Sequence, residues 1–152
     1  MVNRNRNLTH LNYCIQMDRF IDCDEYKRWI GQGNHTFSLI DTDIQNGGFE
    51  WACFKSQQSA EMAVKAVLKS VGRDASGNGL LKLYESCESL FGSNRLIKNA
   101  VSYLDKLYIS PRYPDAFTEG SPWEHFTTGD AELARNPAEQ ILHWAEDVVE
   151  CH

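Results

Sequence analysis

Several absences narrow what this chain can be. Its five cysteines, Cys14, Cys23, Cys53, Cys87 and Cys151, are odd in number, widely spaced and without a Cys-x-x-Cys pair. That pattern predicts neither a disulfide framework nor a zinc site. No apolar run approaches the ~20 residues that a membrane-spanning helix needs. Residues 1–12 are polar and basic, with nothing like the apolar core of a signal peptide. A cytoplasmic protein away from the membrane is the expectation, with a loosely ordered leader over residues 1–23. Strand-type alternation is missing as well, and Asp, Glu and His show no metal-ligand spacing. Basic residues nearly vanish from the last quarter. Residues 115–152 hold nine acidic side chains against the single Arg135, within a net charge of −6. Such a chain has no uniformly basic nucleic-acid footprint, although the first part remains slightly basic.

What is present is helical spacing, in 152 residues that suit one domain, taken as residues 24–152. A first helix is predicted from Asp24, as N-cap, to about Ile44, with Tyr26, Trp29, Ile30, Phe37, Ile40 and Ile44 on one stripe. Gly33 lies on that stripe, which suggests a close helix contact, and Gly47-Gly48 stops the segment. A second helix, residues 49–71, is apolar round much of its first half, with Trp51, Phe54 and Met62 off its main face. It reads as central, or as also facing a partner subunit. A Gly-rich loop, residues 72–79, leads to a third helix over 80–91 and a fourth over about 94–107. Cys53 and Cys87 fall on apolar stripes as small core residues. Thr127-Thr128-Gly129-Asp130 is a capping box opening a last helix whose stripe keeps its phase across Pro137, so one kinked helix is expected, with Asn136 recapping its second half. One long proline-containing connection and short ones elsewhere describe an all-α antiparallel bundle of about four main helices.

That connection holds Tyr108-Ile109-Ser110-Pro111-Arg112-Tyr113-Pro114-Asp115-Ala116. Proline fixes its own φ and disfavours helix in the residue before it, so an extended, stiffened segment is expected. It would hold Arg112, Tyr108 and Tyr113 in set directions. Arg112 could meet a phosphate or a partner carboxylate, or close a structural salt bridge to Asp115 or to an acid of the last helix. The tyrosines could stack on a base or anchor the loop on the bundle. Lys55, Lys65 and Lys69 share one side of the second helix, as a basic rim or as a solvated face. Gln57 falls inside the apolar stripe and must find hydrogen-bond partners there.

The loop, together with Trp51-Ala52-Cys53-Phe54-Lys55-Ser56-Gln57-Gln58-Ser59-Ala60-Glu61, Val64-Lys65-Ala66-Val67-Leu68, Phe126-Thr127 and Asp130-Ala131-Glu132, resembles the HEPN family. Its members are small prokaryotic helical bundles that also form the C-terminal domain of the large protein sacsin. The resemblance covers roughly residues 26–149. It implies a four-helix up-and-down bundle with a short additional helix, commonly a homodimer. It also implies work near nucleotides or RNA: binding ATP or GTP, pairing with a nucleotidyltransferase in a toxin–antitoxin context, or cutting RNA.

Family members that cut RNA carry an arginine followed four to six residues later by a histidine. Here Arg4 with His10 and Arg28 with His35 have or approach that spacing, as a composition this rich in both residues would give by chance. Where many relatives with this loop carry Gly-His before the third helix, this chain has Gly77-Asn78. His125 is the imidazole nearest Arg112 in sequence, while His143 belongs to the outer face of the last helix. The expected function is therefore a dimeric helical module that binds a nucleotide or a nucleotidyltransferase partner through Arg112, Tyr108, Tyr113, Asp115, Lys55 and Gln57. The alternatives are a ribonuclease using Arg28, His35 or His125, and a purely structural domain whose acidic last helix docks a basic protein.

Overall fold

The computed structural model describes residues 20–151; the leader, with Arg4 and His10, lies almost wholly outside them. Among the described residues the chain is helical without strands. The helices are α1 (Cys23–Ser38), α2 (Ile40–Gln45), α3 (Phe49–Ser70), α4 (Leu80–Phe91), α5 (Arg95–Asp105), α6 (Pro122–His125) and α7 (Thr128–Val148), with a 3-10 turn over Pro114–Ala116. They form an antiparallel up-and-down bundle. The paired α3 and α7 are flanked by α1 on one side and by α4 and α5 on the other.

The central role expected of α3 holds. Ala52, Cys53, Ala60, Ala63, Val64, Val67 and Leu68 are all sealed from solvent. Its buried serines satisfy themselves locally: Ser56 Oγ donates to the Ala52 carbonyl at 2.8 Å and Ser59 Oγ to the Lys55 carbonyl at 2.6 Å. Gly33 does admit a close approach. A Cβ there would lie 3.1 Å from the Ser59 carbonyl, 3.2 Å from Met62 and 3.3 Å from Leu142, where α1, α3 and α7 meet.

Local signals explain most boundaries. Thr127 and Asp130 form the reciprocal capping box of α7, with Thr127 N–H donating to Asp130 Oδ2 at 2.8 Å. Asn94 caps α5, accepting from Ile97 N–H at 3.2 Å. The N-cap of α4 is Gly79, which has no side chain to offer. Asp105, from the end of α5, supplies the missing acceptor to Leu80 N–H at 2.7 Å. The Tyr84 hydroxyl fastens the turn between α4 and α5, accepting from Asn94 N–H at 3.1 Å and donating to the Asn94 carbonyl at 3.2 Å.

Four expectations need correction. The first helix starts at Cys23 under Asp22, whose side chain accepts from Glu25 N–H at 3.0 Å, so Asp24 is inside the helix rather than its cap. It also breaks at Leu39, giving α1 and α2; Ser38 Oγ donates to the His35 carbonyl at 2.6 Å and competes with the helical ladder there. Asn136 does not recap α7, which remains one helix through Pro137. The carbonyl that Pro137 leaves without a donor belongs to Leu133, a residue on the exposed side of α7.

The fourth correction concerns the cysteines: Cys23 and Cys151 form a disulfide, their Cα atoms 5.5 Å apart and 128 residues distant in sequence. Spacing along the chain carries no sign of a pair that meets only when the bundle closes its ends. Cys53 and Cys87 are free and buried, as expected, and burial pushes both thiols up to about 12.

Candidate functional site around Arg112

The connection between α5 and α7 is compact rather than extended. Arg112 N–H and Tyr113 N–H both donate to the Ile109 carbonyl, at 3.0 and 3.3 Å, so the chain turns around a fully buried Pro111. Tyr113 has the extended backbone that a following proline enforces (φ −121°, ψ 127°) before the 3-10 turn. The loop's rigidity thus comes from turns anchored by a buried proline.

Arg112 points back onto the bundle. Its Nε donates to the Tyr108 carbonyl at 2.8 Å. Its guanidinium carbon lies 4.4 Å from the ring centre of Phe54, 4.4 Å from that of Tyr108 and 5.0 Å from that of Tyr113. Phe54 comes from the flank of α3 outside its main apolar face, and it also touches Trp51, with ring centres 6.3 Å apart. Among the described residues Arg112 makes no salt bridge; aromatic faces take the place of an acid. The Nε bond and the rings fix the guanidinium plane, while its Nη groups keep donors for an outside acceptor. Beside it Trp51 and Tyr113 are each 49% exposed, leaving aromatic surface at the rim. Asp115 is exposed on the 3-10 turn.

The other sequence candidates lie in different settings. Lys55 is tied to Asp43 of α2, Nζ to Oδ2 at 2.6 Å, an ion pair that holds α2 against α3. Gln57 is sealed inside, donating to Glu61 Oε2 at 3.1 Å and accepting from Gln58 at 2.7 Å. Glu61 in turn pairs with Lys65 at 2.9 Å, both almost fully buried. Lys65 and Lys69 reach over the Trp29 ring at 5.9 and 5.8 Å. These partners answer how a glutamine survives on the apolar stripe of α3.

His125 is held inside its own loop. Its ring stacks on Phe117 with centres 4.1 Å apart, and Nε2 lies 2.6 Å from the Glu119 carbonyl. Gly120 makes this possible: its φ of +77° suits glycine, and a Cβ would meet Glu124 Oε2 at 2.8 Å. Arg28 and His35 are both exposed on α1, seven residues apart and therefore roughly 10 Å along the axis. Arg28 pairs with Glu25. Neither joins the Arg112 cluster by any contact.

One residue pair and the place of a short additional helix escaped the sequence reading. Arg135, the only basic residue of the acidic tail, grips Asp41 of α2 through Nε at 2.7 Å and Nη2 at 3.3 Å, with its guanidinium over Phe37 at 4.8 Å. The short helix α6 follows Ser121-Pro122, with Ser121 N–H donating to Glu124 Oε2 at 2.8 Å. A proline at the first helical position and an acid at the third were the available signal.

An antiparallel bundle with an arginine-bearing loop folded onto its central helix defines a class of small helical domains. Residues 26–148 match the HEPN domain family, and the chain belongs to it. It is similar to TT1696 from Thermus thermophilus, with 32% identity, a TM-score of 0.78, and coverage of 82% of this chain and 98% of that one. It is also similar to ST0689, an archaeal HEPN homologue, at 34% identity and a TM-score of 0.68 over 80% of this chain and 95% of that one. An HEPN domain protein of Thermotoga maritima, tm0613, matches at 31% identity and a TM-score of 0.64 over 79% and 95%. No curated protein matches the chain. No described helix is long and apolar enough to cross a membrane.

Proposed function

We propose that this HEPN domain is a non-catalytic, dimeric module that binds a nucleotide through Arg112, with Tyr113 and Trp51 offering faces on which the base stacks. The observation that carries this reading is the guanidinium itself. It is oriented by three rings and one backbone carbonyl, has no acidic partner among the described residues, and keeps its Nη donors for a phosphate. The same donors suit a carboxylate of a nucleotidyltransferase-type protein in a toxin–antitoxin pair. The half-exposed Trp51 and Tyr113 also suit the rim of a homodimer contact. Catalysis of RNA cleavage has less support, because the His125 ring is engaged with Phe117 and the Glu119 carbonyl.

Titration calorimetry with ATP and with GTP tests the proposal. Binding heat is expected for the natural protein and should vanish in Arg112→Met, which retains the apolar packing but loses every donor. Absence of heat with both nucleotides would remove the nucleotide reading. Co-purification of a partner that depends on Arg112 would then select the protein carboxylate instead. Cleavage of total RNA that is lost in His125→Ala or His35→Ala would overturn the non-catalytic assignment.

A further inference from the structure

We propose that the Cys23–Cys151 disulfide is a redox-operated clamp on the two ends of the domain, opened by dithiol reductants while the bundle stays folded. The pair sits where such a device would act. Cys23 is the first residue of α1, and Cys151 lies just beyond α7. Both fall outside the family match at residues 26–148, three residues before it and three after it. The bond thus joins the segments on either side of the matched region, and the helices between have their own core.

What the clamp holds is limited and local. It keeps Ile21 and Val148 to Cys151 against the first turn of α1, where Val149 is buried and Tyr26 lies beneath. Besides the disulfide, the start of α1 is tied to the bundle by Asp22 N–H donating to the Ser70 carbonyl at 2.7 Å. Chain ends with so few tethers open at low cost compared with core helices. Cys23 and Cys151 are both half-buried, so a small reductant can reach them. Cys53 and Cys87 are sealed, and their thiols are held protonated, so they do not compete for exchange.

The chemistry balances as ordinary thiol–disulfide exchange. One thiolate of the dithiol attacks a clamp sulfur, forming a mixed disulfide and releasing the other cysteine as thiolate. The second thiol of the reductant then closes on the mixed disulfide. Two electrons pass to the protein, which takes up two protons as Cys23 and Cys151 thiols, and the reductant leaves as its own disulfide.

Peptide mapping, hydrogen exchange and thermal melts on the full chain test the clamp. After oxidised glutathione, denaturing alkylation should label three of the five cysteines and map a 23–151 link. With dithiothreitol all five should label, the melting temperature should fall on the order of 10 °C for so long a loop, and helical circular dichroism below the melt should be unchanged. Exchange should quicken at residues 22–26 and 145–151 and stay constant in α3. Cys151→Ser and Cys23→Ser should lose the response to reductant, and Cys14→Ser should keep it. A link through Cys14 instead, or identical melting and exchange in the two redox states, would overturn the proposal. Should a serine variant not fold, titration of the natural protein with reductant still decides.

Discussion

Gly31 and Gly33, two residues apart on α1, give the sharpest test of how this bundle packs. Both are helical with negative φ, so alanine at either site gains helix propensity worth roughly 1 kcal/mol. At Gly31 nothing lies within 4 Å of an added Cβ. Gly31→Ala should therefore stabilise by about 0.5–1 kcal/mol. At Gly33 the new methyl would press on the Ser59 carbonyl at 3.1 Å, on Met62 Cβ at 3.2 Å and on Leu142 Cδ2 at 3.3 Å. The first of these is backbone of the central helix and cannot turn aside. Overpacking of this kind costs roughly 1–3 kcal/mol, so Gly33→Ala should change stability by about 0–2 kcal/mol in the destabilising direction net of its propensity gain, against a gain at Gly31. Urea denaturation of both variants with the disulfide intact measures the difference through the midpoint at constant slope. If Gly33→Ala matched Gly31→Ala, the three-helix contact at Gly33 would not exist as described.

Lys65→Met should destabilise by about 3 kcal/mol, because it leaves the Glu61 carboxylate buried with only two amide donors; Glu61→Gln with Lys65→Met should recover most of the loss in a denaturation cycle. Asp105→Ala removes the acceptor that caps α4 from α5, and its unfolding midpoint should report a cost of about 1–2 kcal/mol. Raising the pH should unfold the protein from the alkaline side. Cys53, Cys87 and Tyr26 are all pushed by burial to about 12 from ordinary values of 9.0, 9.0 and 10.0. The folded state thus favours their protonated forms, and the stability this gives is full below pH ~9 and is lost as pH climbs toward 12. Melting temperatures across that window check the sign; a rise instead of a fall would contradict the burial of these groups.

Much of the helical layout was legible because its signals are local. The Thr127–Asp130 box and the Gly47-Gly48 stop each act within four residues, and the apolar stripes of α3, α4 and α5 repeat within one helix. The site was only half legible. The loop around Arg112 stood out by composition, but its turns depend on hydrogen bonds to the Ile109 carbonyl and on burial of Pro111. Charge complementarity alone points to an acid or a phosphate for Arg112, yet three rings hold it, one of them from α3. Proline propensity says nothing of what lies across the loop.

By itself, then, the sequence determined the class of fold, the ends of most helices and the HEPN family, since periodicity, caps and motif spacing are properties of neighbours along the chain. Only the tertiary structure decided which distant groups meet. Cys23 found Cys151, Arg135 found Asp41 across 94 residues, and Asp105 capped a helix that begins at Leu80. Those pairings are set by how α3 and α7 pack, through space and over separations that no local pattern encodes.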